Sequence, residues 1–202
     1  MLNDIHVFDD IISKDNQNLL EKYFKESNLR WDYGNNLKYL NNSEKSPQFV
    51  LRPENVNNDI IDSLITEIQT NSLRNLNKTI LTNYRYKVNW LRVSDTPDNF
   101  DNRKVMHIDR YEPHISIVYY INDTDGDTSF YDLNDGDVFN WMEYVKNNQY
   151  YRFSHKKACS PKKGRVVVFD GSIFHHSSYP TKMDRYVINF NTVIKTEPKT
   201  LF

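Results

Sequence analysis

From residue 80 two sets of side chains alternate: Ile80, Tyr84, Tyr86, Val88 and Trp90 against Leu81, Asn83, Arg85, Lys87 and Asn89. A period of two sustained over that length is a half-buried β-strand. It constrains the fold strongly, because such a strand needs neighbours in a sheet and a second layer on its apolar face. Shorter strand-like runs follow at 115–121 (ISIVYYI), 128–131 (TSFY), 165–170 (RVVVFD) and 185–192 (RYVINFNT). Turn chemistry separates them at 95–101, 122–126, Lys163-Gly164 and Tyr179-Pro180.

The first third has the other period. Ser13 can cap a segment in which Leu19, Leu20, Tyr23 and Phe24 recur at helical spacing. A second helical segment starts near Asn58 and places Ile60, Ile61, Leu64, Ile65 and Ile68 on one face, with a polar loop at 34–47 between the two. Helices followed by many strands predict an α+β, mostly β fold, with helices packed on one side of an antiparallel sandwich or barrel. No repeat or linker divides the chain, so one domain over 1–202 is expected, with a helical support region at 1–78 and a β core at 79–193. The segment 132–162 lacks a clear period and carries Trp141, Tyr144, Tyr150 and Tyr151. It is either a lid or binding loop, or a loop that buttresses the barrel.

Bulk properties remove several function classes. A net charge of −1 and a pI near 6.6 give no general attraction to nucleic acid or anionic membranes. Cys159 is the single cysteine, which excludes an intrachain disulfide and a cysteine-rich metal site. The start MLNDIHVFDD has neither a basic nor an apolar segment of the secretory kind, and no apolar run approaches the roughly 18 residues of a membrane span. The expected location is cytoplasmic.

Chemistry concentrates in four residues. His107 and Asp109, two apart, share a face if the backbone is extended. His175 and His176 would then face opposite ways, so at most one of them can join a shared ion. Arg185 follows His175 by ten positions, past the turn at Pro180, and is expected on the neighbouring antiparallel strand, facing back into the barrel. There its planar fork could take a carboxylate bidentately, unless it pairs with Asp170 or Asp184. Two histidines and one carboxylate leave coordination positions open on a metal.

The stretch 79–193 resembles the 2-oxoglutarate/Fe(II) dioxygenase domain of the prolyl 4-hydroxylase-like type, including small phage and marine microbial members. The resemblance rests on His107-Ile-Asp109, IVYYINDTDGDTSFY, PKKGRVVVFDGSIFH and Arg185 before VINF. It implies a double-stranded β-helix, a jelly-roll or cupin-like barrel, with His107, Asp109 and His175 as Fe(II) ligands. It also implies that Arg185 pairs with the distal carboxylate of 2-oxoglutarate and that Tyr120 helps hold it, if Ser116, Val118 and Tyr120 face inward. His176, four residues before Pro180, is the alternative ligand. The relatives' Gly-Gly-Glu-Thr turn stands here as Asp125-Gly-Asp-Thr128, and Arg92 or Asn89 would have to replace a second cosubstrate tyrosine.

The implied reaction consumes O2, converts 2-oxoglutarate to succinate and CO2, and hydroxylates an unactivated C–H bond, with ascorbate as an auxiliary reductant. Asp109 favours hydroxylation over halogenation, since halogenating relatives carry a small residue there. The resemblance points to a peptidyl substrate such as proline, and to the cytoplasm of a host cell for a phage member. The alternatives are a small molecule or nucleobase as substrate, and a non-catalytic jelly-roll binding module. Lys156, Lys157, Lys162 and Lys163 either contact a peptide or acidic partner or form a solvated face.

Overall fold

The computed structural model describes residues 2, 4–34, 48–95, 106–110, 112–133 and 153–195. In chain order the elements are β1 (His6–Phe8), α1 (Lys14–Glu26), β2 (Asp32–Gly34), β3 (Gln48–Leu51), α2 (Asp59–Arg74) and β4 (Ile80–Leu91). There follow β5 (Ile115–Tyr120), β6 (Thr128–Leu133), β7 (Phe153–Cys159), β8 (Val166–Asp170), β9 (Phe174–Ser177) and β10 (Arg185–Ile194). The loop expected at 34–47 lies outside the described residues beyond Gly34, as do 96–101 of one turn and Trp141, Tyr144, Tyr150 and Tyr151.

The helices begin where the caps predict. The Ser13 hydroxyl accepts from the Asn16 amide, and the Asn58 side chain accepts from the Ile60 and Ile61 amides, each satisfying donors that a helix start leaves unpaired. Their buried faces are narrower than expected. Leu20 and Phe24 of α1 and Ile61, Leu64, Ile65 and Ile68 of α2 are buried, while Leu19 is 42% and Ile60 64% exposed. A residue next in sequence to a buried one is turned about 100° around the helix axis, which carries both toward solvent.

The strands form two antiparallel sheets, one of seven strands in the order β1-β8-β5-β10-β4-β3-β2 and one of three in the order β7-β6-β9. This is a mostly β architecture of the double-stranded β-helix type. One face of the large sheet packs on the helices through Val88, Ile117, Tyr119, Val168, Ile188 and Phe190. The opposite face presents Val118, Tyr120, Val167, Phe169 and Val187 to Phe130 of β6 and Cys159 of β7. Every residue of β5 and β8 is buried, because the helices cover one face of these strands and the small sheet the other. Val118 and Tyr120 thus face inward, as the cosubstrate reading requires.

Three strands of the first third join the sheet where only helices were expected. β1 pairs with β8, and β2 pairs with β3, which pairs with β4. They have three or four residues each, too short to establish a period. The segment 153–159, assigned no period, is β7, and His175 and His176 lie on a strand of their own. β10 is not that strand's neighbour. It lies between β5 and β4 in the large sheet, while β9 pairs with β6 in the small one. The turn before β6 needs its glycine: Gly126 has a φ of 92°, and an added Cβ would come within 2.7 Å of the Ser178 carbonyl oxygen.

Ile68→Ala should cost about 2–5 kcal/mol, because Ile68 is wholly buried between helix and sheet, and Asn58→Ala about 1 kcal/mol for a lost cap. Urea unfolding followed by circular dichroism measures both. Equal costs would contradict the packing described.

Candidate metal centre

One pair of backbone hydrogen bonds assembles the site. The His107 amide donates to the His175 carbonyl and the His175 amide to the His107 carbonyl, both at 2.9 Å. This isolated bridge lays the His107 segment against β9 as a short extra strand of the small sheet. The two imidazole centroids lie 4.6 Å apart. Asp109, two residues on, reaches between them, its Oδ1 3.9 Å from His107 Nε2 and its Oδ2 3.9 Å from His175 Nε2. One ligand atom from each residue falls within 4.8 Å of the others, a group that could hold a metal ion.

The surroundings orient each donor. His175 Nδ1 lies 2.9 Å from the Ile173 carbonyl and donates to it, which turns Nε2 toward Asp109. Phe169 and Phe130 pack on the same ring. Asp109 Oδ2 accepts from the Ser116 hydroxyl at 2.6 Å and from Asn191 Nδ2 at 2.9 Å. Among the described residues Oδ1 accepts no hydrogen bond, so one carboxylate oxygen is fixed and the other is left for an ion. Burial alone would raise the Asp109 carboxyl. The charges of His175 and His107, the Ser116 hydroxyl and Lys87 outweigh it and hold the group well below the usual carboxylate range. His114 backs this arrangement, with Nε2 3.2 Å from Ser116 Oγ, and a Cβ at Gly171 would overlap its ring.

His176 faces the other side of β9, as neighbours on a strand must. It stacks on Tyr131 with Nε2 2.9 Å from the phenol oxygen, so His175 and not His176 is brought beside His107 and Asp109.

Arg185 opens β10 and is 1% exposed. Its Nη2 donates to Thr128 Oγ1 at 3.0 Å, and its guanidinium lies 5.4 Å from the Tyr120 ring centroid. The Tyr120 hydroxyl donates to the same Thr128 oxygen at 2.7 Å. Neither alternative acid engages Arg185. Asp170 accepts from the Ser172 amide and hydroxyl, and Asp184 from Trp90 Nε1 and the Val93 amide. Among the described residues Arg185 Nε is buried with no hydrogen-bond partner. Burial lowers the guanidinium from its ordinary value and Tyr120 opposes this, but an arginine keeps its charge. A buried cation with an unused donor and no bonded carboxylate is a receptor for an anion.

A half-buried strand would turn the polar row of β4 to solvent; the structure keeps Arg85 exposed, half-buries Lys87 and buries Asn89. Val88 packs on the helices, so Arg85, Lys87 and Asn89 share the inner face with Arg185, Val187, Asn189 and Asn191 of β10. Asn191 links Asp109 to Arg85, whose Nε donates to its Oδ1 at 2.9 Å. Nothing local in the sequence marks Ser116, Asn191 and Arg85 as site residues. The available signal was their parity with inward Val118 and Val187, read across the strand register. Of the two residues considered in place of a second tyrosine, Asn89 is inward and buried, whereas Arg92 lies over Phe49 and Trp90. The four lysines near the aromatic segment have partners within the chain: Asp132 for Lys156, the Ile5 carbonyl for Lys157, Asp9 for Lys162 and Glu21 for Lys163.

No family model and no curated protein sequence matches this chain. Solved structures do match over nearly its whole length. A prolyl-4-hydroxylase from Pseudomonas putida has 13% identity and a TM-score of 0.52, covering 93% of this chain and 91% of its own. A prolyl hydroxylase from Trichoplax adhaerens, in complex with a hypoxia inducible factor peptide fragment, has 11% identity and a TM-score of 0.59, with coverages of 94% and 83%. HygX from Streptomyces hygroscopicus, with nickel, 2-oxoglutarate and hygromycin B bound, has 8% identity and a TM-score of 0.56, with coverages of 93% and 82%. The chain therefore has the fold of the 2-oxoglutarate/Fe(II) oxygenases, prolyl 4-hydroxylases among them.

Asp109→Ala and His175→Ala should each abolish Mn(II) binding, read by electron paramagnetic resonance. Ser116→Ala, which loses a supporting hydrogen bond, should weaken it about 10–100-fold. His176→Ala should leave it within about twofold of wild type. Loss of metal on changing His176 but not His175 would contradict the geometry.

Proposed function

We propose that this chain is an Fe(II)- and 2-oxoglutarate-dependent oxygenase that hydroxylates an unactivated C–H bond. One observation carries the reading: buried Arg185, with its unused Nε, shares one face of β10 with Asn191, which is bonded to Asp109 of the His107, Asp109 and His175 group. A dicarboxylate can answer both at once, one end at the ion and the other at Arg185, Tyr120 and Thr128.

His107, Asp109 and His175 would hold the iron, and their three donors leave its remaining positions to cosubstrate and oxygen. When bound, iron and 2-oxoglutarate supply the chemistry: O2 is reduced, the keto acid is oxidised to succinate and CO2, and the second oxygen atom enters the substrate C–H bond. The chain binds, aims and shelters. Arg185 orients the cosubstrate from below, and Ser116 and Asn191 keep Asp109 ionised and correctly turned. Val118, Phe130, Phe169 and Val187 keep water from the buried side. The His107 side chain is 43% exposed, against 8% for His175 and 9% for Asp109, so substrate arrives over His107.

For the substrate we favour a peptidyl residue such as proline. Likeness to two prolyl hydroxylases, one with a bound peptide, supports this reading. A small molecule is the second reading, supported by comparable likeness to HygX with its hygromycin B. Ascorbate is the expected auxiliary reductant, and the cytoplasm the expected location. No described helix is long and apolar enough to cross a membrane.

Succinate formation tests the reading. Iron-loaded protein given 2-oxoglutarate and then O2 should release succinate, and Asp109→Ala should release none. Arg185→Leu should raise the required 2-oxoglutarate about tenfold or more, as expected for a lost charged pair of roughly 1.5–3 kcal/mol. Equal succinate from wild type and Asp109→Ala would refute it.

A further inference from the structure

We infer that Lys87 is a second anion receptor of this site, holding a carboxylate or comparable anionic group beside the metal centre and distinct from the one Arg185 takes. The inference rests on the oxygenase reading and deepens it.

Lys87 lies on the inner face of β4, directly across from Asn189 of β10, which in turn pairs with Val118 of β5. Two residues along β10 toward the metal is Asn191, bonded to Asp109, and four residues the other way is Arg185. At about 3.3 Å per residue, the Lys87 backbone stands roughly 7 Å from the level of Asn191 and roughly 13 Å from that of Arg185, separations that the long Lys87 and Arg185 side chains shorten. It flanks the path between them.

Its ammonium makes no hydrogen bond or ion pair among the described residues. Asp109 attracts it but is not within ion-pair distance, and the Arg85 guanidinium repels it. Lys87 is half-buried, and burial, reinforced by Arg85, pushes its ammonium down to about 8. Its surroundings share the same deficit. The side-chain oxygens of Asn89 and Asn189 are buried without a partner on the same face, as is Arg185 Nε. A cation and two amides left unsatisfied together, in a protein whose other basic side chains near the aromatic segment are paired, form a receptor awaiting a polar ligand. An ammonium on a flexible stem suits one carboxylate or phosphate oxygen. Two molecules could bring that anion: the cosubstrate, through its 1-carboxylate, or a second substrate with an acidic group.

Calorimetry under argon on Mn(II)-loaded wild type, Lys87→Met, Lys87→Arg and Arg185→Leu separates these sources, with thermal melts confirming that each variant is folded. The probes are 2-oxoglutarate and 2-oxobutyrate, which keeps the 1-carboxylate and 2-oxo group but lacks the distal carboxylate. If the anion is the cosubstrate's, Lys87→Met weakens both acids about tenfold or more, Lys87→Arg restores most of it, and Arg185→Leu weakens 2-oxoglutarate alone. If it belongs to the second substrate, Lys87→Met binds both acids as wild type does. Acetate or inorganic phosphate added to the 2-oxoglutarate-saturated protein then changes the Mn(II) resonance in wild type but not in Lys87→Met. Unchanged acid binding with no Lys87-dependent anion effect overturns the assignment to Lys87. A wild type that binds no 2-oxoglutarate sinks the oxygenase reading instead, and the acetate and phosphate titration alone then decides for or against Lys87.

Discussion

The reciprocal backbone hydrogen bonds between His107 and His175 carry more of this structure than any side-chain contact. They join two segments almost seventy residues apart and set their register, so that both imidazoles fall on one side and Asp109 swings between them. Because strand neighbours face opposite ways, the same register turns His176 outward to Tyr131. A slip of one residue would exchange the two histidines, turning His176 inward and His175 out.

Each sheet supplies part of the site. The small sheet contributes His107 and His175 through their bridge and Thr128 through the first residue of β6. The large sheet contributes Ser116, Tyr120, Arg185 and Asn191 from the two strands at its centre, which the helices cover from behind. The rigidity that holds Asp109 therefore comes from the apolar packing of Ile117, Tyr119, Ile188 and Phe190 on α1 and α2. Polar residues alternate with them on the inner face. Arg185 and Asp109 lie at opposite ends of that face, with Val187 and Asn189 between their levels on β10. The charges are kept apart by the fold, so neither neutralises the other before a ligand arrives.

Much of this was legible from local chemistry. Ser13 and Asn58 mark the helix starts, period-two patterning marks β4, and shorter strand-like runs mark β5, β8 and β10, all to within two residues. The structure groups His107 with Asp109 and His175, and Tyr120 with Arg185. What escaped depends on partners distant in sequence. β1, β2 and β3 are strands because β8 and β4 offer them edges, which nothing within three or four residues announces. Arg85, Lys87 and Asn89 read as a solvent face because alternation says which residues share a side, not what covers that side. Leu19 and Ile60 read as buried by their apolar type, although their angular position turns them to solvent. Arg185 was set beside the distal histidine by sequence order, whereas the chain changes sheets between β9 and β10.

The central claim is that the metal group and Arg185 are two ends of one ligand site. Thermodynamic linkage tests it directly: the affinity for 2-oxoglutarate is measured with and without Mn(II), and that for Mn(II) with and without 2-oxoglutarate, all under argon. One shared site predicts that each ligand tightens the other by the same factor, about tenfold or more. Affinities independent of one another would mean that the ion and the keto acid do not meet, and would contradict the account.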